Sequence, residues 1–491
     1  MSVRQTHWIA LTVLSFVAAW PVRPSAAAPV TPTFDEAACN LPDTADVLPR
    51  LRCGTVRVPR DHANPDGDTF ALAVVVVDNV QQPASADPVV YISGGPGGPL
   101  TVYAGHQARK PYAPGRDLIL VDQRGTGRSE PDICRALNPQ LLRDILAFAA
   151  SADPDVARQR QEDNQACRAS ATARGIDLTN FGTSVTVKDF EWVRRALGIK
   201  RWNVYGESYG TTVAMTLAAT HPDAVRSLVL DSIYPPDPGP LWSSIVADAR
   251  HAFFAHCAAD RACAAAFPDL EQTYIETLGR LRDSPLTLAM PSELHLPDNQ
   301  FTLTAPLFSL AVANLLYYPP AYPTLPAIIQ SAHDGDGRQA GAAIGRILAG
   351  FATLDLGLQR SVECRDRPRY RVSLPIGADQ LDANQLYGEC DGWVPLGPAP
   401  VLPLGTTVPT LVLAGEFDPV TRPAASRHVA ELIGPAARWV RFPRVGHNVH
   451  EFSPCAAGIA SAFIAEPGRT LDTACVERRP PIQFTVSNQV P

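Results

Sequence analysis

Residues 202–211 read Trp202-Asn203-Val204-Tyr205-Gly206-Glu207-Ser208-Tyr209-Gly210-Thr211. The first four residues read as a short strand, and Thr212–Ala219 reads as a helix. A G-x-S-x-G sequence between a strand and a helix is typical of a nucleophile elbow, a sharp turn that exposes a serine hydroxyl. Side chains at positions 206 and 210 would clash in such a turn, and the helix N-terminus favours developing negative charge. We therefore predict that Ser208 is a catalytic nucleophile.

A serine hydroxyl needs a base that is held by a third group, and two downstream residues have suitable positions. Asp418 follows the apolar run Thr410–Ala414, and His447 lies in a glycine-containing loop before the helix predicted at Ala456–Ile464. The order serine, acid, histidine is the one that accompanies this kind of elbow. We predict that Asp418 and His447 complete a triad with Ser208.

Three other residues remain alternatives for these two roles. Asp231 ends an earlier predicted strand, where some enzymes with this elbow place the acid, and Glu416 precedes Asp418 by two residues. His450 is the alternative base, although we expect it to be a surface residue at the start of a helix.

Backbone N–H groups that bind an oxyanion are expected at two places. One is Tyr209, the residue after the nucleophile, and the other is Gly95 in the glycine-rich segment Ser93–Gly98. The segment Asp122–Ser129 follows another predicted strand. We expect its aspartate and arginine side chains to pin neighbouring loops rather than to take part in chemistry.

The order of predicted elements indicates one interrupted α/β domain. Strands alternate with helices up to Asp231, which is typical of a mostly parallel sheet with helices on both faces. The alternation stops there and resumes near Thr410. We predict residues 29–233 and 404–491 as the two parts of the domain and residues 234–403 as a largely helical insertion.

The N-terminus and the cysteines both suggest export. Residues 1–28 combine a weakly basic start, a short apolar stretch and small residues, as in a signal peptide, although a buried N-terminal helix is the alternative. Ten cysteines fit an oxidising compartment, and no CxxC or HxxxH spacing supports a metal site instead. We expect pairs of sequence neighbours: Cys39 with Cys53, Cys134 with Cys167, Cys257 with Cys263, Cys364 with Cys390, and Cys455 with Cys475.

Composition argues against some classes of partner. The net charge of −7, without a dense Lys/Arg run, argues against nucleic-acid binding. No segment after the signal peptide is long and apolar enough to predict a membrane span. The periplasm or the medium is therefore the expected location.

Taken together, these segments resemble the proline iminopeptidase and tripeptidyl aminopeptidase group of α/β hydrolases, most of all its tripeptidyl-aminopeptidase branch. The segments that carry the resemblance are Gly94–Gly98, Asp122–Ser129, Gly206–Thr211, the surroundings of Asp418 and His447, Cys364–Trp393 and Cys455–Cys475. The resemblance implies the α/β-hydrolase fold, a cap domain over the active site, peptide substrates with a free N-terminus, and no cofactor or metal.

In the single-residue enzymes of that group, cap carboxylates bind the α-ammonium of the substrate. Candidates for this task by location are Glu363, Glu389 and Asp391 near the end of the insertion, and Glu207 beside the nucleophile. None of them is carried over from the family residue by residue, and a solvated surface carboxylate is the alternative for each. An exported carboxylesterase or lactonase with the same triad is the alternative function. A catalytically inactive binding protein is a third, against which the complete triad speaks.

Overall fold

The computed structural model describes residues 31–80, 85, 87–112, 115–139, 154–234, 245–289, 300–366, 390, 393–394 and 405–486. The predicted signal peptide, residues 1–28, lies outside these ranges. So do Glu389, Asp391 and the predicted domain boundary at residue 403. Those predictions stay predictions.

The strands in the described residues are β1 (Phe34–Ala37), β2 (Leu51–Pro59), β3 (Thr69–Val77), β4 (Val89–Ile92), β5 (Leu118–Val121), β6 (Trp202–Glu207), β7 (Val225–Asp231), β8 (Leu286–Ala289), β9 (Gln300–Leu303), β10 (Thr410–Gly415) and β11 (Ala437–Phe442). Nine of them form one sheet with the order β1-β2-β3-β5-β4-β6-β7-β10-β11, and β8 and β9 pair with each other as an antiparallel hairpin. In the large sheet, pairing is antiparallel from β1 to β5 and parallel across the remaining strands.

Helices flank this sheet and fill the insertion between β7 and β10. Those in the described residues are α1 (Ala104–Ala108), α2 (Pro154–Ala173), α3 (Thr183–Ala196), α4 (Tyr209–Thr220), α5 (Ile245–Ala259), α6 (Arg261–Ala266), α7 (Leu270–Asp283), α8 (Ala305–Tyr317), α9 (Leu325–His333), α10 (Arg338–Ala352), α11 (Leu356–Asp366), α12 (Pro423–Ile433), α13 (Val449–Phe452), α14 (Pro454–Ala465) and α15 (Ala474–Glu477).

The sheet is buried on both faces, as its apolar central strands predict. Along β6, Val204 packs into the core on one face and Tyr205 into the core on the other. Along β10, Val412 and Leu413 alternate in the same way. The mostly parallel sheet confirms the predicted fold class, whereas the edge strand β1 and the β8–β9 hairpin were not predicted.

The insertion is built around a second hydrophobic cluster, which also includes Phe417 after β10. Helices α5 and α7 to α11 contribute apolar side chains to it, among them Phe253, Tyr274 and Phe308. The largely helical character of this region agrees with the sequence-based expectation. Within the described residues no single helix is long and apolar enough to cross a bilayer, although α10 and α11, which meet at 81°, would suffice as a pair by length and composition.

Five disulfides join the cysteines that were predicted to pair. Their Cα–Cα distances lie between 5.2 and 5.8 Å, within the usual range. The bonds are Cys39–Cys53, Cys134–Cys167, Cys257–Cys263, Cys364–Cys390 and Cys455–Cys475. Five disulfides suggest an extracellular or periplasmic protein.

The Asp122–Ser129 segment supports structure, as expected. Asp122 accepts hydrogen bonds from the backbone N–H groups of Leu100 and Thr101, at 2.6 and 2.8 Å. Arg124 is buried and donates two hydrogen bonds, each of 2.6 Å, to Asp189 on α3. Charge-assisted bonds of this kind hold the loop after β4 and the loop after β5 in fixed positions.

Candidate active site

The predicted functional residues follow neighbouring strands at one edge of the sheet. In the parallel part of the sheet the carboxyl ends of β4, β6, β7, β10 and β11 share this edge, with Ile92 opposite Gly206 and Glu207 opposite Asp231. In open α/β sheets, ligands bind at this edge. The fold therefore gathers the loops that carry Gly95, Ser208, Asp418 and His447.

Ser208 occupies the sharp turn between β6 and α4. Its backbone has φ 54° and ψ −126°, a conformation that is strained for a residue other than glycine. The backbone N–H of Ser208 donates a 3.0 Å hydrogen bond to the carbonyl of Asp231, which anchors the turn to β7. The strain and its anchor agree with the elbow predicted from the sequence.

The two glycines of the elbow are required by close packing. A Cβ on Gly210 would lie 2.1 Å from the carbonyl oxygen of Ile92, and one on Gly206 would lie 2.6 Å from that of Gly210. Gly94, in the glycine-rich loop after β4, is equally confined, because its Cβ would lie 2.6 Å from Cβ of Ser208. The loop that contains Gly95 therefore packs directly against the elbow.

Asp418 and His447 form a buried pair. Oδ2 of Asp418 lies 2.8 Å from Nδ1 of His447, and neither side chain is exposed. Backbone N–H groups of Val420 and Thr421 donate to Oδ1 at 2.9 and 2.7 Å, and the Thr421 hydroxyl donates to Oδ2 at 2.5 Å. Thr421 was not singled out from the sequence, although its position three residues after the acid is the signal that could have identified it.

Nε2 of His447 is buried and has no hydrogen-bond partner within the described part of the chain. Burial opposes the charged imidazolium, but the Asp418 carboxylate at Nδ1, together with Glu207 and Asp231, raises the pKa of His447 above its ordinary value. The geometry thus supplies an oriented base whose second nitrogen is available for a proton.

Asp231 does not contact His447 as a triad acid would. Its carboxylate accepts hydrogen bonds of 2.9 Å from the backbone N–H groups of Val449 and His450 and from the Tyr205 hydroxyl. It therefore holds the start of α13, which follows the histidine loop. Of the two predicted alternatives, the structure places Asp418 and not Asp231 at Nδ1. Glu416 instead accepts hydrogen bonds from Arg441 and from the backbone N–H of Arg444.

The expectation that His450 is a surface residue is wrong. Its ring is buried and stacks on Tyr112 with 4.6 Å between centroids. Burial lowers its pKa to about 4, so the ring is neutral at physiological pH. The sequence could not show this, because it does not reveal that Tyr112 and Tyr205 enclose the start of α13.

The insertion between β7 and β10, called the cap from here on, covers the histidine with the end of α8. The ring of Tyr317, the last residue of α8, lies 4.5 Å from the His447 ring between centroids. The histidine loop touches the same helix end, since a Cβ on Gly446 would lie 2.4 Å from the carbonyl oxygen of Leu316. This contact shields the imidazole from water. The resemblance implies a cap over the active site, but no local pattern identifies Tyr317 as the residue that makes this contact.

Hydrogen bonds connect helix α11 of the insertion to the two segments that are predicted to bind the oxyanion, the loop of Gly95 and the residue Tyr209. Before its first turn, the N–H of Asp355 donates a 3.0 Å hydrogen bond to the carbonyl of Gly97. At its other end, Asp366 accepts hydrogen bonds from the backbone N–H and the hydroxyl of Thr183, whose hydroxyl lies 3.0 Å from the Tyr209 hydroxyl. The cap therefore fixes the loop of Gly95 and the side chain of Tyr209.

The two carboxylates that were predicted to bind substrate lie in different places. Glu363 is on α11, half-buried, and accepts a 2.9 Å hydrogen bond from the Tyr234 hydroxyl. The Tyr234 ring lies 6.5 Å from the Tyr209 ring, beside the nucleophile. Glu207 ends β6, and its Oε1 lies 3.8 Å from Nε2 of His447.

Residues 87–454 match the family described as alpha/beta hydrolase fold. This match covers more than half of the chain and includes the whole candidate site, from Gly95 to His447.

Curated relatives match shorter segments. A tripeptidyl aminopeptidase of Streptomyces coelicolor is 32% identical over 219 residues, which cover 42% of this chain and 39% of the relative. The serine protease Hip1 of Mycobacterium tuberculosis is 29% identical over 43% of this chain and 42% of the relative. A proline iminopeptidase of Xylella fastidiosa is 32% identical over 30% of this chain and 32% of the relative. The chain thus spans at most about two fifths of the length of these relatives.

Solved structures to which the chain is similar are more distant in sequence. The proline iminopeptidase of Mycobacterium smegmatis is 17% identical, with a TM-score of 0.37 over 84% of this chain and 98% of that one. A thermophilic esterase of Thermogutta terrifontis is 15% identical, with a TM-score of 0.38 over 84% of this chain and 99% of that one.

Proposed function

Since the chain belongs to the α/β-hydrolase family, we propose that it is an exported serine peptidase that releases N-terminal residues or short peptides through an acyl-enzyme. The observation that carries this proposal is the buried Asp418–His447 pair at the sheet edge where the Ser208 elbow lies. The names of the three curated relatives support a peptidase, and the five disulfides support export.

In the proposed reaction, Ser208 Oγ attacks the scissile carbonyl carbon while its proton passes to Nε2 of His447. The N–H groups of Gly95 and Tyr209 bind the oxyanion. The imidazolium then gives its proton to the leaving amine as the C–N bond breaks. A water molecule, deprotonated by His447, attacks the acyl-enzyme, and the released Ser208 recovers its proton from the imidazolium.

A peptidase that acts from the N-terminus needs an anion for the α-ammonium of its substrate. We propose Glu363, because it lies on the cap helix α11 and is connected through the Tyr234 hydroxyl to the neighbourhood of Tyr209. Glu207, the other carboxylate predicted for this task, lies against His447. An enzyme with such a site loses affinity when the amine is acetylated, because the carboxylate is left without its charge partner.

The first experiment tests the nucleophile. Wild-type protein should react covalently with a fluorophosphonate, and Ser208→Ala should not. Peptide mass spectrometry should place the adduct on Ser208, and an adduct on another serine would overturn the proposed mechanism.

The second experiment tests the substrate class. We expect kcat/KM on aminoacyl- and tripeptidyl-nitroanilides to be much higher with a free than with an acetylated N-terminus, and Glu363→Gln to erase most of that difference. A nitrophenyl ester serves as the control, because its hydrolysis should not respond to Glu363→Gln. Equal rates on free and blocked peptides, or activity on the ester alone, would favour the carboxylesterase or lactonase and leave the triad unchanged.

A further inference from the structure

The imidazole of His447 lies between two carboxylates. Asp418 contacts Nδ1 at 2.8 Å, and Oε1 of Glu207 lies 3.8 Å from Nε2 on the opposite side of the ring. The Glu207 side chain is only 13% exposed, so little water separates the two groups. A charge pair at this distance interacts far more strongly in such surroundings than at the surface.

Nε2 is the atom on which positive charge appears when a serine transfers its proton to the histidine. Because Nε2 is buried and has no hydrogen-bond partner in the described residues, neither solvent nor a protein acceptor there compensates that charge. Asp418 is on the other side of the ring. Glu207 is therefore the carboxylate placed to stabilise the protonated nitrogen.

Glu207 is held in this orientation by neighbours. The Tyr91 hydroxyl donates a 3.3 Å hydrogen bond to Oε2, and the backbone N–H of Gly94 donates to the same carboxylate. The Tyr91 ring stacks on Tyr205 with 5.4 Å between centroids, which fixes the hydroxyl. Burial and the nearby Asp231 carboxylate raise the pKa of Glu207 above its ordinary value, while His447 and these two donors limit that rise by favouring the ionised form.

We propose that Glu207 is a positioning residue for the histidine: its ionised carboxylate is a second counterion that faces Nε2 and stabilises the imidazolium form of His447. The inference rests on the proposed function of Ser208 and His447. It gives Glu207 a task other than binding the substrate amine, the task that the sequence predicted for it.

Other ionisable groups around the pair do not take over this role. Asp231 raises the pKa of His447 less than Glu207 does, and its carboxylate is occupied by the start of α13. His450 is neutral because burial lowers its pKa to about 4. Burial raises the pKa of four tyrosine side chains near the pair well above the ordinary tyrosine value. These tyrosines are Tyr91, Tyr112, Tyr205 and Tyr322.

The pH dependence of fluorophosphonate inactivation tests the proposal without any assumption about the substrate. The second-order rate constant should rise with pH as His447 loses its proton. Since Glu207 favours the imidazolium, Glu207→Gln should move this rise to lower pH by about one unit. It should also lower the plateau roughly tenfold, because a less basic histidine is a weaker general base. Glu207→Asp, which keeps the charge, should restore part of the shift.

Tyr91→Phe provides a second variant, and active-site titration with the probe gives the folded fraction of each protein. Removal of this donor disfavours ionised Glu207, so a smaller shift in the same direction is expected. An unchanged midpoint in Glu207→Gln would overturn the inference while leaving the triad in place. An effect of Glu207→Gln confined to a higher KM for free-amine peptides would also overturn it, because Glu207 would then bind the α-ammonium of the substrate. Absence of labelling in wild type would instead contradict the proposed function.

Discussion

Asp418 lies at 2.8 Å from His447, and both side chains are fully buried, although 28 residues separate them in the chain. The carboxylate fixes the imidazole with a proton on Nδ1 and leaves Nε2 unprotonated. In the proposed mechanism this is the tautomer that accepts the Ser208 proton.

Asp418→Asn should lower kcat about 10⁴-fold with little change in the melting temperature, because the amide stabilises the wrong imidazole tautomer. The measurement is steady-state hydrolysis of the best nitroanilide, with circular dichroism to verify folding. Asp231→Asn is the matched control: it should lower the melting temperature and affect kcat far less, since Asp231 binds backbone N–H groups of α13. The reverse order would show that Asp231 is the acid.

Thr421→Val should lower kcat by about 10- to 100-fold, because the Asp418 carboxylate loses a charge-assisted hydrogen bond of about 1.5–3 kcal/mol. KM should change little, since Thr421 is not proposed to contact the substrate. Thr421→Ser keeps the hydroxyl and should retain most of the wild-type kcat. Equal losses in the two variants would argue against a role of the hydroxyl.

Asp355→Asn should change how stability depends on pH. Burial raises the pKa of Asp355 to about 6, above its unfolded value of about 3.9. Between these values the folded state binds more protons than the unfolded state, so wild-type stability falls as pH rises from about 4 to 6, by up to about 3 kcal/mol.

The variant lacks this titration and can still cap α11 by accepting from the N–H of Leu358, as Asp355 does. We therefore expect Asp355→Asn to gain stability relative to wild type on going from pH 4.5 to pH 7.5. Urea unfolding at both values measures this difference. If the two proteins differ in free energy of unfolding by the same amount at both pH values, Asp355 is ionised in the folded protein at both.

The disulfides should stabilise the fold by reducing the conformational entropy of the unfolded chain. Replacing Cys455 and Cys475 by alanine should lower the free energy of unfolding by about 3 kcal/mol, and replacing Cys257 and Cys263 should cost about 2 kcal/mol because the closed loop is shorter. Non-reducing peptide mapping of exported protein should recover all five pairs. Free thiols at these four positions would contradict both the bonds and the export.

Local sequence predicted most of the sheet. The strands β4 and β5 fit the predicted alternation of strands and helices, because short apolar runs between glycine- and proline-rich turns have few other stable states. The edge strand β1 was missed, since Phe34–Ala37 has only one large apolar residue and is held by pairing with β2.

Within the site, the sequence alone determined which residues are candidates. The elbow is a local turn whose two glycines are demanded by contacts with residues close to them in the fold, and the order serine, acid, histidine fixed Asp418 and His447 as partners. It favoured Asp418 over Asp231 but left Asp231 as an alternative, because both acids lie at or just after the carboxyl end of a strand.

Tertiary structure alone decided those choices. The distance from each carboxylate to the imidazole depends on how β7, β10 and β11 align, and this register is set by packing across the sheet. The same packing buries His450 against Tyr112, brings Tyr317 of the cap onto His447, and places Glu207 at Nε2. These contacts join residues far apart in the chain, so no local pattern encodes them.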